Sequence, residues 1–252
     1  LIQETLLLLC LAAFAAGFID SIAGGGGLLL TPSLLLAGVP PHVALGTNKF
    51  ASTLGTSTAL YNFVQSKMVL WKVAAFGIAF SLVGSYGGTM AVLSFPAEPL
   101  GRLILLVLPF AGMAALMPKK ERHHATEFSQ IDLMVKAPLI CFAIGFYDGF
   151  LGPGTGSFLI LAFHAFLKID LVRASATAKI FNFSSNLAAL AVFAADGKVD
   201  YWLGLPLAAA NIAGNWLGSH LAIRKGAGLV RWLLIASLSI LFLSLAWKFF
   251  LA

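Results

Sequence analysis

The strongest constraint on this chain is that most of it is written twice. "GFIDSIAGGGG", starting at Gly17, returns as "GFYDGFLGPGTG" at Gly145, so that Gly17, Phe18, Asp20, Gly24 and Gly26 meet Gly145, Phe146, Asp148, Gly152 and Gly154. Further on, "LGTNKF" meets "SATAKIF", which aligns Thr47 with Thr177 and Lys49 with Lys179. "KMVLW" at Lys67 then meets "KVDYW" at Lys198, and "GSYGG" at Gly84 meets "GNWLG" at Gly214. Matches in one order at nearly constant spacing describe two copies of a single unit. The copies span residues 1–118 and 132–252, joined by a polar linker at 119–131.

Each copy holds the same series of apolar runs. The first has them near 4–22, 28–37, 42–64, 70–93 and 99–117, the second near 133–148, 155–167, 171–194, 201–222 and 228–250. Hydrophobic residues make up 60% of the chain and charged ones only 10%, against roughly 25% charged in an ordinary soluble domain. So little polar surface cannot cover a water-soluble globule, and the solvent around this chain is largely lipid. The expected fold is an all-α polytopic membrane protein: two inverted repeats of about five helical segments each, some of them short, broken or re-entrant. The runs at 28–37 and 155–167 fall well short of the about 20 residues a span needs, and both follow a glycine-rich break. The apolar stretch at 5–16 resembles a signal-peptide core, but no basic residue precedes it and its pattern recurs downstream, so it reads as mature protein.

Orientation follows from the loop cations. If each long–short pair made one crossing, Lys and Arg would divide almost evenly between the two faces. If each pair is instead a hairpin that enters and leaves on one face, only Arg102, Lys198 and Lys248 remain on one side and the other loop Lys and Arg gather opposite. A bias of that kind marks the cytoplasmic side. The halves are therefore expected to be inverted, with both termini outside and the linker in the cytoplasm.

Exposed irregular backbone cannot face lipid, though it can line an enclosed cavity. A helix restarting after such a break points unpaired N–H groups and the positive end of its dipole into the membrane interior, and glycine lets an anion approach them. The candidate substrate-binding backbone is therefore Gly24, Gly25, Gly26 and Gly27 in the first copy, and Gly152, Gly154, Thr155 and Gly156 in the second. Lys49 and Lys179 lie well inside their apolar runs, where a charge is costly unless it is paired or hydrated. Thr47 and Asn48 flank the first lysine; Thr177, Asn182 and Asn186 accompany the second. Such clusters suit a small oxyanion; the bland alternative is that both lysines snorkel to the nearer interface. Asp20 and Asp148 would repel an anion, so they are expected to pair with the lysines, cap the restarted helices, or carry a coupling proton.

Other features carry less. "GPGTGS" at Gly152 lacks the lysine of a Walker loop, which argues against ATP. His123 and His124 sit in the linker, and His164 and His220 have no partners at metal spacing, so neither metal nor cofactor is implied. Cys10 and Cys141 read as small core residues. Asn211 and Asn215, four apart, either line the cavity or bond helix to helix, while "GSYGG" and "GNWLG" read as close-packing notches. No basic cluster interleaved with aromatics points to nucleic acid. No nucleophile triad or metal cluster points to an enzyme.

The block "GFIDSIAGGGGLLLTPSLLLAGVPPHVALGTNKF" and its echo "GFYDGFLGPGTGSF…ATAKIFNFSSNLAAL" resemble the TauE/SafE sulfite-exporter family over nearly the whole chain. The resemblance implies a permease of the bacterial cytoplasmic (inner) membrane that moves sulfite, sulfonates or related small anions, generally outward, on an internally duplicated fold. The family's glycine-rich motif falls on Asp20–Gly27 and Asp148–Gly156, and its "TNK" motif on Thr47, Asn48 and Lys49. The second copy departs from it, with Ala178 in place of the Asn and Pro153 and Thr155 in place of glycines. The leading expectation is a secondary transporter of small sulfur-containing oxyanions, with an anion channel as the alternative. Its partners would be that anion and membrane lipid, with a homodimer compatible.

Overall fold

The computed structural model describes residues 3–100, 102–104, 128–225 and 232. Within them the first copy contributes α1 (Gln3–Ala23), α2 (Gly27–Leu36), α3 (Pro41–Gln65) and α4 (Trp71–Leu93). In the second, a π-helical turn (Asp132–Lys136) leads into α5 (Ala137–Phe150), followed by α6 (Thr155–Phe166), α7 (Leu171–Ala195) and α8 (Tyr201–Lys225). These elements reproduce the expected runs one for one. Of the runs at 99–117 and 228–250, only 99–100, 102–104 and 232 are described, all helical. His123, His124 and most of the linker lie outside the described residues, as do the first two residues and the last twenty.

Local chemistry sets the helix limits. Pro41 opens α3 at the position where a missing N–H costs nothing. Asp170 caps α7, its carboxylate accepting from the amides of Val172 at 3.1 Å and Arg173 at 2.9 Å. The glycine-rich breaks hold where the backbone turns left-handed, at φ +77° for Gly24 and at +87° and +86° for Gly152 and Gly154.

The copies interleave. α1 packs along α8 of the other copy, and its counterpart α5 packs along α4; α3 lies on α8 and α7 on α4, while α3 and α7 meet at the centre. Exchanging the copies leaves this contact scheme unchanged. Small residues bring the paired helices together, as expected of the two notches. A Cβ added to Gly84 or Gly88 would fall 2.3 or 2.0 Å from the carbonyls of Phe142 or Phe146, and one on Gly214 would fall 2.1 Å from that of Phe14.

Polarity runs inside out. Leu7, Leu8 and Leu11 on α1 and Trp202 and Leu205 on α8 are exposed, whereas Lys49, Asn48, Lys179 and Asn182 are buried. Among the described residues, four helical segments (α1, α4, Asp132–Phe150 and α7) are long and apolar enough to cross a membrane. α3 and α8 equal α7 in length at 25 residues but are less apolar. This is a membrane protein whose polar groups face one another at its centre.

Candidate functional site

Lys49 is the ninth residue of α3 and Lys179 the ninth of α7, which puts each about 12 Å from its helix start. Both are buried, with side chains 2% and 1% exposed. Their ammonium groups do not snorkel. Each finds a carboxylate in the opposite copy: Lys49 Nζ lies 2.8 Å from Asp148 Oδ2, and Lys179 Nζ lies 2.9 Å from Asp20 Oδ2. The two ion pairs are crossed between the copies.

A polar chain joins the two ion pairs. Lys49 donates to Asn186 Oδ1 at 2.9 Å, Asn186 donates to Asn182 Oδ1 at 3.3 Å, and Asn182 reaches Asp20 Oδ2 at 3.5 Å. Lys179, Asn182 and Asn186 stand at i, i+3 and i+7, so helical geometry places them on one face of α7. Isolated charges at this depth would cost several kcal/mol each, and the pairing with supporting hydrogen bonds offsets that cost.

Apart from Lys179, these groups border a small, partly open polar cavity. Asp20, Asn48, Lys49 and Ser52 line it from α1 and α3, and Asp148, Asn182 and Asn186 from α5 and α7. The breaks contribute Gly24 and Gly27 from one copy and Gly152, Thr155 and Gly156 from the other. The amides of Gly27 and Gly156 have no hydrogen-bond partner among the described residues. Lys49 has three N–H donors and uses two of its contacts on Asp148 and Asn186, so one donor remains for a guest.

Several candidate residues stand elsewhere. Thr47 and Thr177 lie two residues before the lysines, about 200° around the helix, and turn away from the cavity. Thr47 Oγ1 accepts from the Asp200 amide at 3.0 Å, at the start of α8. Thr177 Oγ1 accepts from the Leu70 amide at 3.1 Å, at the start of α4. Lys179 is set behind Asp20 and donates to its backbone carbonyl, the cation at a helix C-terminus that the helix dipole favours. Gly25, Gly26 and Gly154 are not on the wall; the Gly26 amide points to Asp20 Oδ1 at 3.4 Å.

The breaks also hold each other. A Cβ on Gly24 would fall 2.1 Å from the carbonyl carbon of Gly156, and one on Gly27 would fall 3.1 Å from Pro153 Cα. The Ser157 amide donates to Gly24 O at 3.1 Å, and the hydroxyls of Ser157 and Ser175 to the carbonyls of Ala23 and Ile22 at 2.8 and 2.9 Å. The bare backbone of Gly24 and Gly156 therefore serves the crossing of the two hairpins.

The substitutions in the second copy have visible consequences. Thr155, standing where the first copy has Gly27, donates to Asp148 Oδ1 at 2.6 Å. Asn211 bonds helix to helix, donating to Ala13 O at 2.9 Å, while Asn215 donates to Asn211 Oδ1 at 2.9 Å within α8. Ser52 is the wall residue the sequence reading lacked. It aligns with Asn182 across the repeat, and that alignment was the signal for it.

The family model described as Sulfite exporter TauE/SafE matches residues 9–245. A "probable membrane transporter protein" of Haemophilus influenzae is 35% identical over 232 residues, covering 90% of this chain and 89% of the relative. The "probable membrane transporter protein YfcA" of Escherichia coli is 38% identical over 223 residues, covering 87% and 81%. A more distant one, YjnA of Bacillus subtilis, is 24% identical over 229 residues, covering 86% and 90%. All three carry transporter names and none an enzyme's.

Proposed function

This chain belongs to the sulfite exporter TauE/SafE family, and from that premise we propose that it is a secondary transporter, working as an exporter, of small sulfur-containing oxyanions such as sulfite or organosulfonates. The observation that carries the reading is the cavity at the centre of an apolar bundle, walled by two broken hairpins and the buried ammonium of Lys49. Paired broken helices in repeated halves are the usual mark of a transporter's midplane site. The anion would take the free donor of Lys49, the Gly27 and Gly156 amides, and the side chains of Asn48, Ser52, Asn182 and Asn186.

In this proposal the copies at 1–118 and 132–252 are inverted repeats in the bacterial inner membrane, multi-pass, with both termini outside. Rocking of one copy against the other would open the shared cavity alternately to each face. The crossed ion pairs suit that movement, because each ties the helix of one copy to the hairpin of the other.

The test is uptake into proteoliposomes of sulfite, sulfate, sulfoacetate and carboxylate analogues by the purified full chain. Saturable flux of a sulfur oxyanion, lost in Lys49→Ala, is the expected result. Flux of none of them above empty liposomes would overturn the reading, and single-channel currents in a planar bilayer would replace the transporter with a channel.

A further inference from the structure

The cavity as it stands holds no spare positive charge. Lys49 faces Asp148, Lys179 faces Asp20, and the four charges sum to zero. An anion entering such a site meets polar donors but no net attraction, and it leaves one negative charge unbalanced in a low-dielectric interior. Something must supply the balancing charge.

The two carboxylates are not equally placed to do so. Asp20 is committed on both oxygens: Oδ2 accepts from Lys179 at 2.9 Å and from Asn182 at 3.5 Å, and Oδ1 from the Gly26 amide at 3.4 Å. Asp148 has Oδ1 taken by the Thr155 hydroxyl at 2.6 Å. Its Oδ2 lies in ion contact with Lys49 yet accepts no hydrogen bond of proper geometry from any described residue, although it is buried. A buried carboxylate oxygen on the wall of the cavity whose one contact is the Lys49 ammonium, with no second donor, is a seat for a proton once that ammonium turns to an anion.

Resting on the anion reading above, we propose that Asp148 is the coupling residue: one proton from solvent water binds Asp148 Oδ2 as a monovalent oxyanion enters, and leaves with it. The buffered solvent gives up the proton and takes it back, so no covalent bond of the protein or the anion is broken. It neutralises the carboxylate and turns the Lys49 ammonium from the partner of Asp148 into the partner of the anion. The loaded cavity is then as neutral as the empty one, which is the condition for carrying the anion across lipid.

Few other charges bear on Asp148. α3 presents Lys49, α1 presents Asp20 across the cavity, and α7 presents Lys179 behind Asp20. α6 contributes Thr155, and α4 only the hydroxyls of Ser85 and Thr89, both donating to backbone carbonyls. Tyr147, the neighbour on α5, donates to Pro153 O at 2.6 Å.

Methanesulfonate is the probe, because its charge does not change with pH. Its binding to the purified full chain is measured by calorimetry between pH 6 and 9, in buffers of different ionisation enthalpy. Wild type should take up one proton per methanesulfonate, and its Kd should rise about tenfold per pH unit on the alkaline side. Asp148→Asn should bind with no proton uptake and a flat pH profile. Proton-free binding by wild type would overturn the proposal, and that arm stands even if the variants fail to fold. Uptake retained in Asp148→Asn would overturn it too. If wild type binds none of the anions named above at any pH, the anion reading itself falls and this inference with it.

Discussion

Removing Lys49 tests the crossed pairing directly. In Lys49→Met the side-chain volume is nearly kept, so the perturbation is the loss of charge from a position 2% exposed. Asp148, itself 2% exposed, is left with the Thr155 hydroxyl as its remaining hydrogen-bond donor. Breaking a buried ion pair from one side costs about 3–5 kcal/mol. At about 2–4 °C per kcal/mol for a chain of this size, the unfolding midpoint should fall on the order of 10 °C. Lys179→Met should cost less, because Asp20 keeps Asn182 and the Gly26 amide and its side chain retains 12% exposure.

The second substitution decides the argument. Asp148→Asn added to Lys49→Met removes the orphaned charge and should recover most of the lost midpoint. Asp20→Asn added to Lys49→Met should recover none, because it strands Lys179 instead. Thermal unfolding of the purified variants in one detergent, followed by loss of the monodisperse peak, reads all of these. Should Lys49→Met melt within about 2 °C of wild type, or Asp20→Asn rescue it as well as Asp148→Asn, the reasoning fails.

Four further outcomes follow from local geometry. Gly24→Ala should abolish recovery of folded protein, since its Cβ would meet Gly156 backbone at 2.1 Å at a φ of +77°. Gly38→Ala, at φ +83° with nothing within 4 Å, should cost only the left-handed penalty of about 1–2 kcal/mol, read as a small drop in midpoint. Thr47→Val removes the acceptor for the Asp200 amide and should cost about 1 kcal/mol of stability, with anion affinity in a binding titration unchanged. Lys168→Gly relieves a non-glycine residue at φ +58° and should raise the midpoint by a few degrees, about 1 kcal/mol. Its counterpart in the first copy is already a glycine, Gly38.

Much of this was legible because lipid leaves a chain few options. An apolar run of about 20 residues has to be helical there, so α1, α4 and α7 could be read with ends close to their observed ones. The short α2 and α6 betrayed themselves by length and by the glycines before them. The buried lysines were legible on the same ground: a cation at residue 49 or 179 of an apolar run needs a partner, and Asp20 and Asp148 were the acidic residues near such breaks.

What could not be read was which partner each would take. In the sequence Asp20 lies 29 residues from Lys49 and Asp148 lies 31 from Lys179, so the pattern invites pairing within each copy. The fold pairs them across copies because the hairpins cross at Gly24 and Gly156, where neither residue has a side chain to keep the backbones apart. That contact sets the α1 break against the start of α6, within reach of α7, and Lys179 meets the carbonyl and carboxylate of Asp20 there. The motif glycines thus act twice: they break the helices, and they let the breaks interlock. The threonines follow the same logic. Thr47 and Thr177 read as site residues because they neighbour the lysines in sequence, yet two residues along a helix is about 200° around it. A residue there faces the next helix of the other copy, and each threonine takes the free amide at that helix's start. Periodicity alone could have turned them away from the cavity; only the interleaving of the copies could say what they would meet.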